Sequence, residues 1–263
     1  MQAFAASLAV ILMVATCTWL YSAVRGNVTI VDSAWSLFFL LGTSVYLYVA
    51  DTAGPRSTLI LVLVAAWALR LSVYLTWRNS GKPEDHRYGE IRRRNSPGFT
   101  LKSLYLVFGL QGILAWIIAL PLYAAVTGSN PIGFLDYLGV AVWTIGFVFE
   151  SVGDYQLAQF KSDPRNEGRV MNSGLWRYTR HPNYFGDFCI WWGFYLIALS
   201  AGGWWTLVSA ALMSWLLLRV SGVVLLEKDI AERRPGYARY IEMTNAFFPW
   251  FPVEELGCEE SRV

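Results

Sequence analysis

The sequence predicts an all-α, polytopic integral membrane protein of about seven transmembrane helices, and three observations predict it. Of 263 residues, 55% are hydrophobic and only 15% charged, against roughly 25% charged in soluble domains; the mean hydropathy is +0.39. Apolar runs of about 20 residues, enough to cross a bilayer as a helix, recur along the chain. Lys and Arg gather in alternate connections between those runs. No alternating pattern of a barrel strand is visible, and only a helix satisfies its own backbone in lipid.

The first run, 3–24, is too long for a signal-peptide core and has no basic stretch before it, so it reads as the first span. The second, 30–50, carries Asp32 about one turn inside. The third, 58–77, carries Arg70 in its interior. A fourth at 104–126 and a fifth at 134–157 follow, the fifth turning polar at its end. The sixth, 184–201, has Pro182 where a helix would begin. Ala201-Gly202-Gly203 makes a tight turn before the seventh, 204–226. A short acidic tail, 253–263, reads as loose. With no internal repeat or linker, 1–263 is a single membrane domain.

Basic residues set the orientation. Arg25 follows the first run. Arg78, Lys82, Arg87, Arg92, Arg93, Arg94 and Lys102 follow the third. Lys161, Arg165, Arg169, Arg177 and Arg180 follow the fifth, and Lys228, Arg233, Arg234 and Arg239 follow the seventh. Only Arg56 lies opposite. The N-terminus is therefore expected outside and the C-terminus in the cytoplasm. A net charge of +2 does not point to nucleic acid, and thirteen Trp, fourteen Tyr and fifteen Phe suit interfacial belts and a stacking pocket. Cys17, Cys189 and Cys258 have no metal-ligand spacing, so neither a disulfide framework nor a metal site is expected.

The stretch 150–192 is the richest in chemistry. Glu150, Asp154 and Lys161 fall within about 40° on one helix face, as a ligand site or as a structural ion pair with Lys161 or Arg169. Arg180 and His181, beside the open N–H groups of a helix beginning at Pro182, form an expected anion site. Asn183, Asp187, Trp191 and Tyr195 recur every fourth residue, as interhelical glue or as a binding wall. On the earlier helices, Asp32 has Trp35 and Ser36 beside it, and Arg70 has Trp67 and Tyr74 near its face. Asp32 and Arg70 either pair with each other or line a substrate cavity, with Asp32 as a proton donor. The loop from Pro83 to Tyr88 is a solvated connector or a segment that folds back as a lid. Tyr237, Tyr240 and the aromatics around Pro249 sit at the interface or close over a nucleotide.

The string Gly174-Leu175-Trp176-Arg177-Tyr178, with Arg180-His181-Pro182-Asn183-Tyr184-Phe185-Gly186-Asp187, resembles the C-terminal signature of the steroid 5-alpha-reductase and sterol-reductase superfamily. Glu84–Tyr88, Asp154-Tyr155-Gln156-Leu157, Trp191-Trp192-Gly193 and the tail with Glu227, Tyr237 and Pro249 support the resemblance, which spans nearly the whole chain and is closest to its bacterial branch. It implies NADPH on the cytoplasmic side of a bacterial inner membrane, held by residues 127–252, while residues 1–126 hold a steroid-like or isoprenoid lipid. Matching positions put Glu150, Asp154, Lys161, Arg169, Asn183 and Asp187 at the cofactor, joined by Arg180, His181, Tyr184 and, from the tail, Tyr240. Substrate contacts fall to Asp32, Trp35, Trp67, Arg70 and Trp191. The candidate proton donors are Asp32, Tyr88 and Tyr184. The chain departs from steroid reductases in lacking their Gln-Glu pair on the second helix, where Asp32 stands, and in placing Trp67 near their substrate-side Tyr.

Membrane methyltransferases using S-adenosylmethionine also carry an Arg-His-Pro-x-Tyr-x-Gly run and form the alternative. Asp154, Asp187, Trp191-Trp192-Gly193 and the arginine excess, suited to a 2′-phosphate, lean towards the reductases. A third reading is a non-catalytic lipid-binding protein or transporter, against which stands the absence of repeated broken helices.

Overall fold

A computed structural model of the chain describes residues 2–51, 54–220, 227 and 236–253. Among them every regular element is helical and there is no strand. The helices, in chain order, are α1 (Gln2–Arg25), α2 (Ile30–Ala50), α3 (Pro55–Asn79), α4 (His86–Arg94), α5 (Phe99–Ile118), α6 (Leu120–Thr127), α7 (Phe134–Ser162), α8 (Pro182–Ser200), α9 (Trp204–Val220) and α10 (Tyr237–Met243). Five of these, α1, α2, α3, α5 and α7, are long and apolar enough to cross a membrane. Their outward faces are apolar, with Val73, Leu101, Tyr105 and Tyr137 all exposed, which is the inverse of a soluble fold and the expected dress of a bilayer protein.

Local chemistry sets the boundaries. Pro55 and Pro182 open α3 and α8, where a missing N–H removes no helical bond. The expected fourth span is broken. Pro121, at the start of α6, cannot continue a helix through Ala119, so a 20-residue α5 ends at Ile118. Leu104–Gly109 within α5, and Leu216–Val220 at the end of α9, are π-helical. The α5 π turn re-aims the residues that follow it, Gln111 among them. The segment after α3 is more ordered than a connector: α4 was not foreseen as a helix. The tail beyond Val253, with Cys258, and also Lys228, Arg233, Arg234 and 221–226, lie outside the described residues.

The chain forms two compact units. The first comprises Met1–Gly139 and Phe194–Ser209. Here α2 packs between α1 and α3 and also touches α5 and α6. Its Phe38, Phe39 and Tyr46 are fully buried, and Ser36 Oγ donates to the Ala68 carbonyl of α3 at 2.9 Å. At the other end of α3, Arg56 is buried against Asp136 of α7 through two hydrogen bonds of 2.7 and 2.9 Å. It also donates to the carbonyls of Asn130 and Pro131, while Ser200 donates to Asp136. The single basic residue on the expected outer side is thus a buried bracket, not a surface charge.

The second unit comprises Val140–Gly193 and the described residues from Ala210 onward. Its centre is the crossing of α7 and α8. A Cβ on Gly146 would meet the Gly186 carbonyl oxygen at 2.5 Å, so both helices need glycine to approach this closely. Phe185 and Phe188 of α8 pack edge-on against Phe247 and Phe248, which fastens the C-terminal segment to the helix.

Candidate functional site

In the first unit the chemistry gathers at the N-terminal start of α2. Asp85 caps α4 by accepting from Arg87 N at 2.9 Å, and its own N–H donates to Thr29 Oγ1 at 2.8 Å. Glu84 accepts from Val28 N at 2.9 Å and takes a two-pronged bond from Arg92 at 2.8 Å. The Glu84–Tyr88 loop therefore folds back onto the α1–α2 connection. This places Arg87 Nη2 2.8 Å from Asp32 Oδ2 and lets Tyr88 OH donate to Asp32 Oδ1. Gln111 of α5 completes the cluster by donating to Tyr88 OH at 3.2 Å.

Tyr88 is only 6% exposed. Burial first, and then the neighbouring Asp32 charge, push its phenol well above its ordinary range, so it remains protonated at neutral pH. Arg87 sits over the Tyr88 ring at 5.5 Å. The outcome is a neutral phenolic donor between a carboxylate and an amide, with a guanidinium beside it. Asp32 thus pairs with Arg87 and Tyr88 and not with Arg70, because α4 delivers a guanidinium directly to the first turn of α2. Trp35, Phe39 and the fully buried Trp67 form a chain of aromatic contacts at 5.2 and 5.6 Å on the same unit.

In the second unit Glu150 and Asp154, one turn apart on α7, are both buried, and Asn183 donates its amide to Asp154 at 3.3 Å. Gly153 leaves room for Pro182 and Asn183 N to sit at 3.2 and 3.3 Å from where its Cβ would be. Lys161 and Arg169 are exposed, Asp187 is half-buried and Trp191 is fully buried. Tyr184 stacks on His181 at 5.7 Å with the ring planes 9° apart. Tyr240 OH donates to the Trp176 carbonyl, and Trp176 in turn donates to the Gly153 carbonyl at 3.0 Å.

Arg180 needs correction as an anion site. Its Nε and Nη2 hold Glu227 at 2.7 and 3.0 Å, and Nη1 donates to the carbonyls of Ile241 and Thr244 at 3.0 and 2.5 Å. His181 Nε2 lies 2.9 Å from the same carboxylate. The anion received at the start of α8 is the chain's own Glu227. Burial favours the neutral form of Glu227, but the bonds from His181 and Arg180 outweigh it and lower its pKa from 4.5 to about 2.

Gln111 was not among the residues singled out by sequence, while Arg87 and Glu227 were marked as parts of the family resemblance but given no role at the site. Gln111 had a readable signal: it is the single amide within an apolar run, where a polar side chain needs a reason. For Arg87 and Glu227 the resemblance was the signal, but their partners were not readable, since each is one charge among many in a basic or mixed segment.

Fold and site together define a polytopic helical membrane protein with buried polar clusters. The chain belongs to the family described as protein of unknown function (DUF1295), which it matches over residues 18–244. It is similar to an uncharacterised protein of the fission yeast Schizosaccharomyces pombe, with 27% identity over 252 residues, covering 84% of this chain and 70% of that protein. No solved structure matches.

Proposed function

We propose that this protein is a membrane-embedded, NADPH-dependent reductase of an activated C=C bond in a steroid-like or isoprenoid lipid. The Asp32–Tyr88–Gln111 cluster carries the reading. Saturating an enone consumes a proton, so it needs an acid that stays neutral at pH 7. Methyl transfer from a sulfonium consumes none and leaves a buried phenol without a role.

When bound, NADPH supplies the hydride. Tyr88 supplies the proton at its phenolic oxygen, polarising the substrate carbonyl as negative charge develops there. The Gln111 N–H and the Arg87 guanidinium offset the charge left on that oxygen, while Asp32 orients the hydroxyl. The donor set of the second unit suits a dinucleotide. Glu150 and Asp154 offer acceptors for ribose hydroxyls, and Lys161 and Arg169 offer cations for phosphates. Arg180, committed to Glu227, is not part of that set.

The same reading assigns seven crossings, with α8 and α9 as the sixth and seventh, the N-terminus outside, and both polar clusters facing the cytoplasm of a bacterial cell. The distribution of Lys and Arg supports it, more cleanly now that the one exception, Arg56, is buried.

The test is thermal stability of the detergent-purified chain with NADPH, NADH or S-adenosylmethionine, followed by turnover on enone lipids. A ligand at about a hundred times its dissociation constant stabilises by about 2.7 kcal/mol. We expect NADPH to do so, and Tyr88→Phe to keep that stabilisation while losing about 10²–10⁴-fold in turnover. Stabilisation by S-adenosylmethionine alone would make the protein a methyltransferase, and a response to none of the three would return it to the non-catalytic class.

A further inference from the structure

The segment after α10 exposes aromatic side chains while its backbone is held fast. Residues 245–253 carry no Lys, Arg, Asp or Glu, and among them Phe248, Trp250 and Phe251 are 59%, 69% and 76% exposed. Their backbone is pinned at several points. The Asn245 carbonyl accepts from Arg180 N at 2.9 Å, and the Phe247 carbonyl from Thr179 Oγ1 at 2.8 Å. Trp250 N donates to the Tyr178 carbonyl at 2.9 Å and Val253 N to the Met243 carbonyl at 3.0 Å. Phe251 meets the exposed ring of Tyr178 edge-on at 6.1 Å, and Phe248 meets Phe185 and Phe188 of α8. A fixed apolar patch of this kind is costly in water and marks a surface that something covers.

The length of α7 sets the depth of the patch. At about 1.5 Å per residue its 29 residues run about 43 Å, more than a hydrocarbon core of about 30 Å. Phe134 and Tyr137, exposed at its start, suit one boundary of that core. The other boundary then falls about 20 residues on, between Gly153 and Leu157. The patch is tied to this level, because Trp176 Nε1 donates to the Gly153 carbonyl at 3.0 Å and the neighbouring Tyr178 holds Trp250. Residues 245–253 form no helix, so their free backbone groups need water or headgroups and cannot lie in the hydrocarbon itself.

We propose that Phe248, Trp250 and Phe251 anchor the C-terminal segment in the interfacial layer of the membrane that α7 crosses, with the glycerol and headgroup region of the phospholipids as partner. An indole combines an apolar body with one N–H donor, which suits the ester oxygens at that depth. A second copy of the chain or another protein would not require the patch to fall at the boundary level. The proposal is independent of the reductase reading and holds for either orientation of the chain.

The test uses the full chain in phosphatidylcholine nanodiscs, with Cys17, Cys189 and Cys258 replaced by Ser. Trp250→Cys and Phe251→Cys each carry an environment-sensitive fluorophore, and Ser162→Cys, exposed at the polar end of α7, carries the same label as reference. We expect emission at both positions to shift to the blue of the reference and iodide quenching to fall below it. Nitroxide lipids should quench both labels, most strongly with the nitroxide near the glycerol. Both positions are exposed, so unchanged melting temperatures will show that the fold is intact. Iodide quenching equal to the reference overturns the anchor. So does a blue shift without nitroxide quenching, which would mean that protein covers the patch, or strongest quenching by a nitroxide near the chain end.

Discussion

Glu227 concentrates much of the residue-scale chemistry of the second unit, and its environment has a pH signature. Arg180 is buried and hydrogen-bonded to it, and His181 faces the same oxygen. Removing one partner of such a pair leaves a buried charge without its counterion. Glu227→Gln should lower stability at pH 7 by up to about 3 kcal/mol, measured by denaturant unfolding in detergent. The sign with pH follows from the lowered carboxylate pKa. Glu227 contributes fully above its ordinary 4.5, and the contribution fades as pH falls towards about 2. Wild type and variant should therefore converge between those values, and a gap that stays constant would show that charge is not what the pair contributes. Asp32 and Tyr88 were legible from sequence as candidates. Their being bonded to each other was not, because nothing local says that α4 folds back on α2.

At the scale of elements, helix existence follows from composition and helix ends from a few residues. The apolar runs at 3–24, 30–50, 58–77 and 134–157 each lie within an observed helix, since about 20 apolar residues leave little alternative in lipid. The run at 104–126 read as unbroken because its hydropathy is uniform; Pro121 divides it for a reason of backbone geometry that hydropathy does not register. The α7–α8 crossing was invisible in the same way, being set by two single glycines. A Cβ on Gly186 would lie 2.6 Å from the Gly146 carbonyl oxygen and 2.7 Å from Glu150 Cβ. Gly186→Ala should cost about 1–3 kcal/mol through overpacking, seen as a lower melting temperature. An unchanged melting temperature would mean the helices can separate at no cost.

For the whole molecule, the testable statement is topology. In a background where Cys17, Cys189 and Cys258 are replaced by Ser, we expect Ser129→Cys, in the exposed loop before α7, to react with a membrane-impermeant maleimide on intact cells. Ser162→Cys, at the far end of α7, should react only after permeabilisation. The opposite pattern would invert the protein and place Tyr88 on the outer side.

The sequence by itself determined the class of the protein, the positions of its apolar helices and the orientation its basic loops favour. These follow from transfer free energies and charge counts that add up residue by residue. Only the tertiary structure decided which charges meet. Asp32 receives Arg87, Arg56 receives Asp136, and Arg180 receives Glu227. Each pair joins positions far apart in the chain, and burial makes such a pairing selective in a way that spacing along a helix cannot express. That choice leaves Tyr88 a neutral donor, and withdraws Arg180 from the set of cations open to a ligand.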